Sequence, residues 1–389
     1  MTDAVIVQAV RTPVGRRGGV LSGVHPVDLS AAVLQALAAR SGIDPSLVDD
    51  VIWGCVSQVG EQSNNIGRNA VLAAGWPQSV PGTTIDRQCG SSQQAVAFAA
   101  AGLIAGQYDV VVAGGVESMS RVPMGSPATV AGLPFGERLL QRYSGELEAA
   151  GTAMFDQGVG AEMIAARWGL SREQLDTFAL ESHERAAAAI DAGRFTDEIV
   201  PVTLPDGTVV DTDQGVRRGG TLEAMAGLKT PFRPDGVVTA GSASQISDGS
   251  AALLMTTSER AAELGLRPLA RIHTSVVAGD DPVIMLTAPI PATQKVLARS
   301  GLRLDEIDVF EVNEAFASVP LAWLAETGAD PKALNVNGGV IALGHPLGAS
   351  GARLMTTMLH QLVASGARYG LQTMCEGGGM ANATIIERL

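Results

Sequence analysis

Three cysteines in 389 residues are too few for a disulfide scaffold. Any thiol that matters here is expected to be free and reactive. Aromatic residues make up only 4% of the chain, so its apolar content rests on Ala, Val and Leu, with 46 Gly between them. No uncharged apolar run reaches the roughly 18–20 residues that span a bilayer. The opening Met1-Thr2-Asp3-Ala4-Val5-Ile6-Val7 lacks the basic segment and cleavage site of a secretion signal and reads as a strand. Cations are scarce as well. The net charge of −13 argues against a general nucleic-acid surface, and an anionic ligand would need a local basic patch. A cytoplasmic protein with neither nucleic acid nor membrane as partner is the expectation. Motifs are missing too. No Gly-x-Gly-x-x-Gly opens a helix after the first strand, no phosphate loop occurs, no Gly-x-Ser-x-Gly elbow stands where a hydrolase would need it, and no Cys/His spacing suits a metal.

What is present is an α/β pattern. Val5–Val10, Val51–Cys55, Val110–Ala113, Val309–Val312 and Leu371–Met374 are predicted strands; Leu29–Arg40, Ser92–Ala105 and Gly351–Ala364 are predicted helices. The order of elements repeats. Gly42-Ile43 leads into Asp50–Gly54, and Gly301-Leu302 leads into Asp308–Val312. Cys89–Ser92, a helix, Gly106–Asp109, a strand and Gly114-Gly115 are echoed by His345–Gly348, a helix, Gly366–Gly370, a strand and Cys375–Gly379. Residues from about 119 to 250 fit neither half. They hold an amphipathic helix near Arg172–Ala192 and hairpins or loops over Pro201–Gly220, the kind of insertion that covers a site.

Two thiols and one histidine stand out. Cys89, in Asp86-Arg87-Gln88-Cys89-Gly90-Ser91-Ser92, is placed in the first turn of an Ala-rich helix, where amides and the helix dipole would lower its pKa. Cys375 follows a strand and precedes Gly377-Gly378-Gly379, whose bare backbone can approach a reacting atom or form a tight turn. His345 is wedged between Gly344 and Pro346 at a strand-to-helix turn. His25, His183, His273 and His360 read as structural, and Cys55 as core. A nucleophilic cysteine, a histidine able to deprotonate it and a second thiol remain.

At these residues the sequence resembles the thiolase family of acyl-CoA acetyltransferases, nearly end to end. The segments that carry the likeness are Cys89–Ala95, Gly114-Gly115-Val116-Glu117-Ser118-Met119-Ser120, Asn313-Glu314-Ala315-Phe316, Gly338–Gly351 and Cys375–Gly379. The resemblance implies two similar βαβαβαββ halves in a layered αβαβα arrangement with an inserted loop domain. The N-terminal half would be residues 1–118 plus about 251–268, the insertion 119–250 would cover the site and bind coenzyme A, and the C-terminal half would be 269–389. A homodimer or homotetramer is implied, with coenzyme A as substrate rather than cofactor and no metal.

The implied chemistry is cleavage of a 3-ketoacyl-CoA by CoA through an acyl-Cys89 intermediate. His345 would deprotonate Cys89; Cys375 would protonate the acetyl-CoA enolate and then deprotonate the incoming thiol. One negative oxygen would be held by His345 and a water on Asn313, the other by the amides of Cys89 and Gly377. Arg217, beside Arg218, and Ser244 match the family's CoA-contacting positions. The sequence departs from the family pattern at Asp86, Ser92-Gln93 and Ala381, and at Asp156-Gln157-Gly158, where short-chain enzymes carry His-Met-Gly. That last departure points to a longer or bulkier acyl chain and a degradative role on lipid, steroid-like or branched acids. The alternatives are a biosynthetic acetoacetyl-CoA thiolase, a β-ketoacyl synthase, in which Cys375 would have to be a histidine, and a non-catalytic acyl-CoA-binding module.

Overall fold

The computed structural model describes residues 2–389. Among these, the main strands are β1 (Val5–Arg11), β2 (Asp50–Gly54), β3 (Thr83–Ile85), β4 (Val110–Ser118), β5 (Ser247–Thr256), β6 (Ala270–Gly279), β7 (Val309–Val312), β8 (Tyr369–Glu376) and β9 (Met380–Arg388). With Gly15–Arg16 paired to β5 they form a ten-stranded sheet in the order β7-β8-β9-β6-β1-β5-β4-β2-β3. The expected repeat is visible in the pairing. From β2 through β4 and β5 to β1 the neighbours run parallel, antiparallel, antiparallel. From β7 through β8 and β9 to β6 they do the same. The halves join where Val5 and Ile6 of β1 meet Arg271 and Ala270 of β6. The second-half counterpart of β3 shrinks to one bridge between Phe310 and Leu334.

Helices complete the layers. α1 (Pro26–Ser41) covers β1 and β5 on one outer face, and α5 (Pro289–Ser300) covers β6, β8 and β9 on the other. Between them lie α2 (Ser91–Ile104) and α6 (Leu347–Ser365), and α6 touches strands of both halves. Strands covered on both faces are mostly apolar or small, and every residue of β4 and β5 is buried. β4 therefore runs on past the expected Ala113 to Ser118, carrying Glu117 into the interior.

The two middle helices approach through bare backbone. A Cβ on Gly351 would fall 2.3 Å from the backbone nitrogen of Gln93 on α2. One on Gly348 would fall 2.5 Å from the Val116 carbonyl. Ser92 Oγ also accepts from Ala352 N–H at 2.8 Å. The start of α6 is thereby held against the start of α2, and the residues preceding each helix converge at one end of the middle layer.

Between β4 and β5 run α3 (Gln157–Arg167) and α4 (Arg172–Asp191), the latter opened by a Ser171/Gln174 capping box. A hairpin, Val202–Thr203 with Val209–Val210, lies where loops or hairpins are predicted. Arg11 of β1 anchors this excursion through buried contacts to Glu198 (2.6 Å) and, in a two-pronged pair, to Asp213 (2.7 and 2.9 Å). Among the described residues no helix is long and apolar enough to cross a membrane.

Candidate active site

Cys89 sits in a turn, not in the first turn of a helix. α2 begins at Ser91 with Gly90 as its N-cap. The turn is held by Asp86 Oδ1, which accepts from Gln88 N–H at 2.6 Å, and by Ser91 Oγ, which accepts from Arg87 N–H and donates to the Gln88 carbonyl. The expected lowering of the thiol pKa is corrected as well. Burial pushes the Cys89 thiol well above its usual range, and Cys375, Glu376 and Asp86 push the same way. Taking a thiolate out of water outweighs a nearby helix end. The thiol is protonated at neutral pH and requires a base.

His345 lies between the one-turn helix Val340–Leu343 and α6, not after a strand. Its backbone N–H donates to the Gln245 carbonyl and to Ser247 Oγ. Ring Nδ1 stands 2.6 Å from Ser350 Oγ, which is also 2.9 Å from the Pro346 carbonyl. A carbonyl only accepts, so the serine proton points there and Ser350 Oγ accepts the Nδ1 proton. Nε2 is left as a bare lone pair, buried and with no partner among the described residues. Burial, then the charge of Arg353, push this imidazole down to about 3. A neutral ring with a free Nε2 is the form a base needs.

Cys375 is the penultimate residue of β8 rather than the residue after it. Asn313, just beyond the neighbouring parallel strand β7, donates through Nδ2 to Cys375 Sγ at 3.5 Å. Burial raises this thiol to about 11, with the Asn313 contact opposing. Asn313 Oδ1 is buried without a partner among the described residues. Gly377-Gly378-Gly379 turns β8 into β9, and Gly378 and Gly379 adopt φ of +84° and +73°. Gly377 serves otherwise: a Cβ there would lie 3.0 Å from Gln88 Oε1, so the Gln88 side chain lies against the bare glycine.

Gln88 and Gly377 open onto a cavity of about 500 Å³ whose other walls include Phe135, Tyr143, Phe155 and Met285. No residue lining it carries a positive charge. Phe155 packs edge-to-face on both Phe135 and Tyr143. Asp156 does not face this space, because its carboxylate caps α3 by accepting from Gly158 and Val159 N–H. The neighbouring Gln157 is the residue in the wall.

Arg217 and Ser244 share a second cavity, of about 540 Å³, with Arg16 and Arg17. Arg218 is instead paired with Asp191 at 2.7 Å. The Arg217 backbone donates to His183 Nδ1, and burial with the Arg217 charge lowers that ring to about 4. Arg16 and Arg17 escaped the sequence reading, since only folding brings residue 16 to residue 217. Two motif glutamates prove to be buried ties. Glu117 accepts from Val56, Ser57 and Gly348 N–H and from Gln62. Glu314 accepts from Ser182, Asn335 and Ile341 N–H. Cys55 is buried and its thiol is driven upward by burial and by Glu117.

Two family models cover the chain: the thiolase N-terminal domain over residues 4–259 and the thiolase C-terminal domain over 266–388. The chain belongs to the thiolase family. It is 53% identical to the steroid 3-ketoacyl-CoA thiolase FadA6 of Mycobacterium tuberculosis, over all of this chain and 95% of that one. It is 45% identical, over the full length of both, to the beta-ketoadipyl-CoA thiolase of Escherichia coli. The crystal structure of the Bacillus anthracis acetyl-CoA acetyltransferase superposes with a TM-score of 0.91 at 41% identity, covering 100% of this chain and 99% of that one. This thiolase is accordingly an acyltransferase, and its relatives act on CoA thioesters by name.

Proposed function

We propose that this thiolase degrades 3-ketoacyl-CoA esters carrying a bulky, uncharged acyl group. Cys89 forms the acyl intermediate. The observation that carries the reading is the 500 Å³ aromatic-walled cavity opening beside Gln88 and Gly377. It exceeds what an acetyl group needs, and it offers no cation to a terminal carboxylate such as that of a ketoadipyl chain. The 53% identity to a steroid 3-ketoacyl-CoA thiolase supports a polycyclic or branched acyl group.

In this reading His345 Nε2 takes the Cys89 proton as sulfur bonds to the keto carbon. Neither charge forms alone, because burial opposes both the imidazolium and the thiolate. Breakage of the carbon–carbon bond leaves acyl-Cys89 and an acetyl-CoA enolate, which Cys375 protonates. Cys375 then deprotonates the incoming CoA thiol, whose sulfur takes the acyl group. The orphaned Asn313 Oδ1 supports a water held for one oxyanion with His345, and the bare backbone at Gly377 supports an amide pair with Cys89 for the other. Arg217 and Ser244 hold CoA, with the 119–250 insertion as cover over the N-terminal half (1–118 plus about 251–268) and the C-terminal half (269–389). CoA is substrate, not cofactor. The exposed Leu72, Phe98 and Ile104, on elements beside the open edge of β3, support a homodimer or homotetramer, which the solution mass would decide.

Two measurements test the proposal. Mass spectrometry after incubation with acyl-CoA should find the adduct on Cys89, accumulating in Cys375→Ala; its absence would leave only a binding module. A thiolysis screen over linear, carboxylated and alicyclic 3-ketoacyl-CoA esters should favour the last. A sharp preference for acetoacetyl-CoA would overturn the substrate class.

A further inference from the structure

Among the charged groups at the site, Glu376 has no place in the chemistry above. It follows Cys375 on β8, and successive strand residues face opposite sides. Cys375 therefore turns toward Asn313, and Glu376 turns toward the Cys89–Gly90 turn. The contact there is close: a Cβ on Gly90 would sit 2.0 Å from Glu376 Oε1. Gly90 has an ordinary φ of −90°, so it is the approach of the Glu376 carboxyl and the Asn382 amide, not the backbone conformation, that crowds this position. Asn382 closes the other side by donating to the Gly90 carbonyl at 3.0 Å. Glu376 is fully buried, and both its oxygens lack a hydrogen-bond partner among the described residues. Buried polar groups left in this state call for an explanation, because a purely structural carboxyl would be paired or replaced by an apolar side chain.

We propose that Glu376 is a positioning residue that sets the charge behind Cys89: protonated, it leaves the nucleophile free to react, and ionised, it opposes formation of the thiolate. The inference rests on the assignment of Cys89 as nucleophile. Burial raises the Glu376 carboxyl to about 8, with Arg87 drawing it down and Asp86 pushing it up. These two charged groups face it from the turn segment, which also carries the Cys89 thiol; β9 presents Asn382, which is neutral. The Arg87 guanidinium is itself incompletely satisfied, its Nε buried without a partner among the described residues, so a cation stands ready to favour the ionised form. Ionisation places a negative charge beside a sulfur that must itself become negative. The effect is a brake on Cys89 at alkaline pH, where most thiols become more reactive.

The test reads Cys89 alkylation by iodoacetamide, site-resolved by mass spectrometry, from pH 6.5 to 9. It needs no turnover, so it stays informative if the acyl adduct fails to form. In Glu376→Gln the ratio of the rate at pH 9 to that at pH 6.5 should exceed the wild-type ratio by about tenfold, the effect of one charge across a partly polar interior. In Arg87→Gln, which keeps the carboxyl, the midpoint of the pH range over which the carboxyl-bearing protein falls behind Glu376→Gln should move higher than in the wild type. Parallel wild-type and Glu376→Gln profiles, whether equal or uniformly displaced, would overturn the proposal. An unmoved midpoint in Arg87→Gln would do the same.

Discussion

Ser350 does for His345 what the imidazole cannot do for itself. By accepting the Nδ1 proton it fixes one tautomer and aims the lone pair of Nε2 into the site. Ser350→Ala should lower kcat/KM for thiolysis by roughly tenfold or more while KM changes little, because proton transfer is impaired and binding is not. Steady-state kinetics separates the two. Equal losses in both terms would count against this role. The ring's position near 3 also shapes the pH profile. Between pH 5 and 7, the rate of Cys89 acylation in single turnovers should show no inflection at the usual histidine value near 6.5. A clear break there would mean that the imidazole is hydrated rather than buried.

At the scale of elements, the middle layer decides whether a site exists. α2 and α6 begin side by side because Gly351 presents bare backbone to Gln93 of α2, while Gly348 seats the start of α6 against β4 and the end of β2. Gly351→Ala puts a methyl carbon where the Gln93 nitrogen leaves no room, and a backbone atom cannot rotate away as a side chain can. The expected cost is about 2–3 kcal/mol, read as a lower urea midpoint, together with a loss of Cys89 acylation as the two turns separate. Much of this layer was legible in the sequence. The strands Val5–Val10 and Val309–Val312 and the helix from near Ser92 lie where periodicity put them, while the helix expected from Gly351 opens a turn earlier, at Leu347. Their ends were less so. The glycines at 114 and 115 read as the end of a strand, yet β4 continues through them because Gly348 packs against that stretch. Likewise, Asp156 looked like a marker of chain length from its motif, whereas its carboxylate is engaged as a helix cap and Gln157 faces the cavity.

For the whole molecule, burial of ionisable groups couples stability to pH. Glu311 and Glu376 are both raised to about 8, Glu311 by burial with Glu314 and Glu198 adding to it against Arg353. A carboxyl raised in the folded state keeps its proton after the unfolded chain has released it. Its contribution is full below about 4.5 and is lost as pH rises toward 8. His345 and His183, lowered to about 3 and 4, act with the opposite sign. Their stabilisation grows as pH rises from about 3–4 and is complete above about 6.5. Between pH 6.5 and 8 only the carboxyls still change, so stability should fall by a few kcal/mol across that window. Urea unfolding at the two pH values measures it, and Glu376→Gln should flatten the decline.

Local chemistry in the sequence determined a good deal: an α/β chain built from a repeat, a long insertion in its first half, free thiols at 89 and 375, and a histidine between glycine and proline with no packing role. These follow from short-range rules of periodicity, turn chemistry and residue type, which act over a few neighbours. Tertiary structure alone decided the sign of the electrostatics and the company each residue keeps. Cys89 beside a helix start promised a stabilised thiolate, but the packed layers exclude water and reverse that expectation. Arg16 joins Arg217, and Glu376 reaches Gly90, across separations that no local rule spans. Desolvation and contact depend on what the rest of the chain brings to the same place, and that is settled only when the two halves close around α2 and α6.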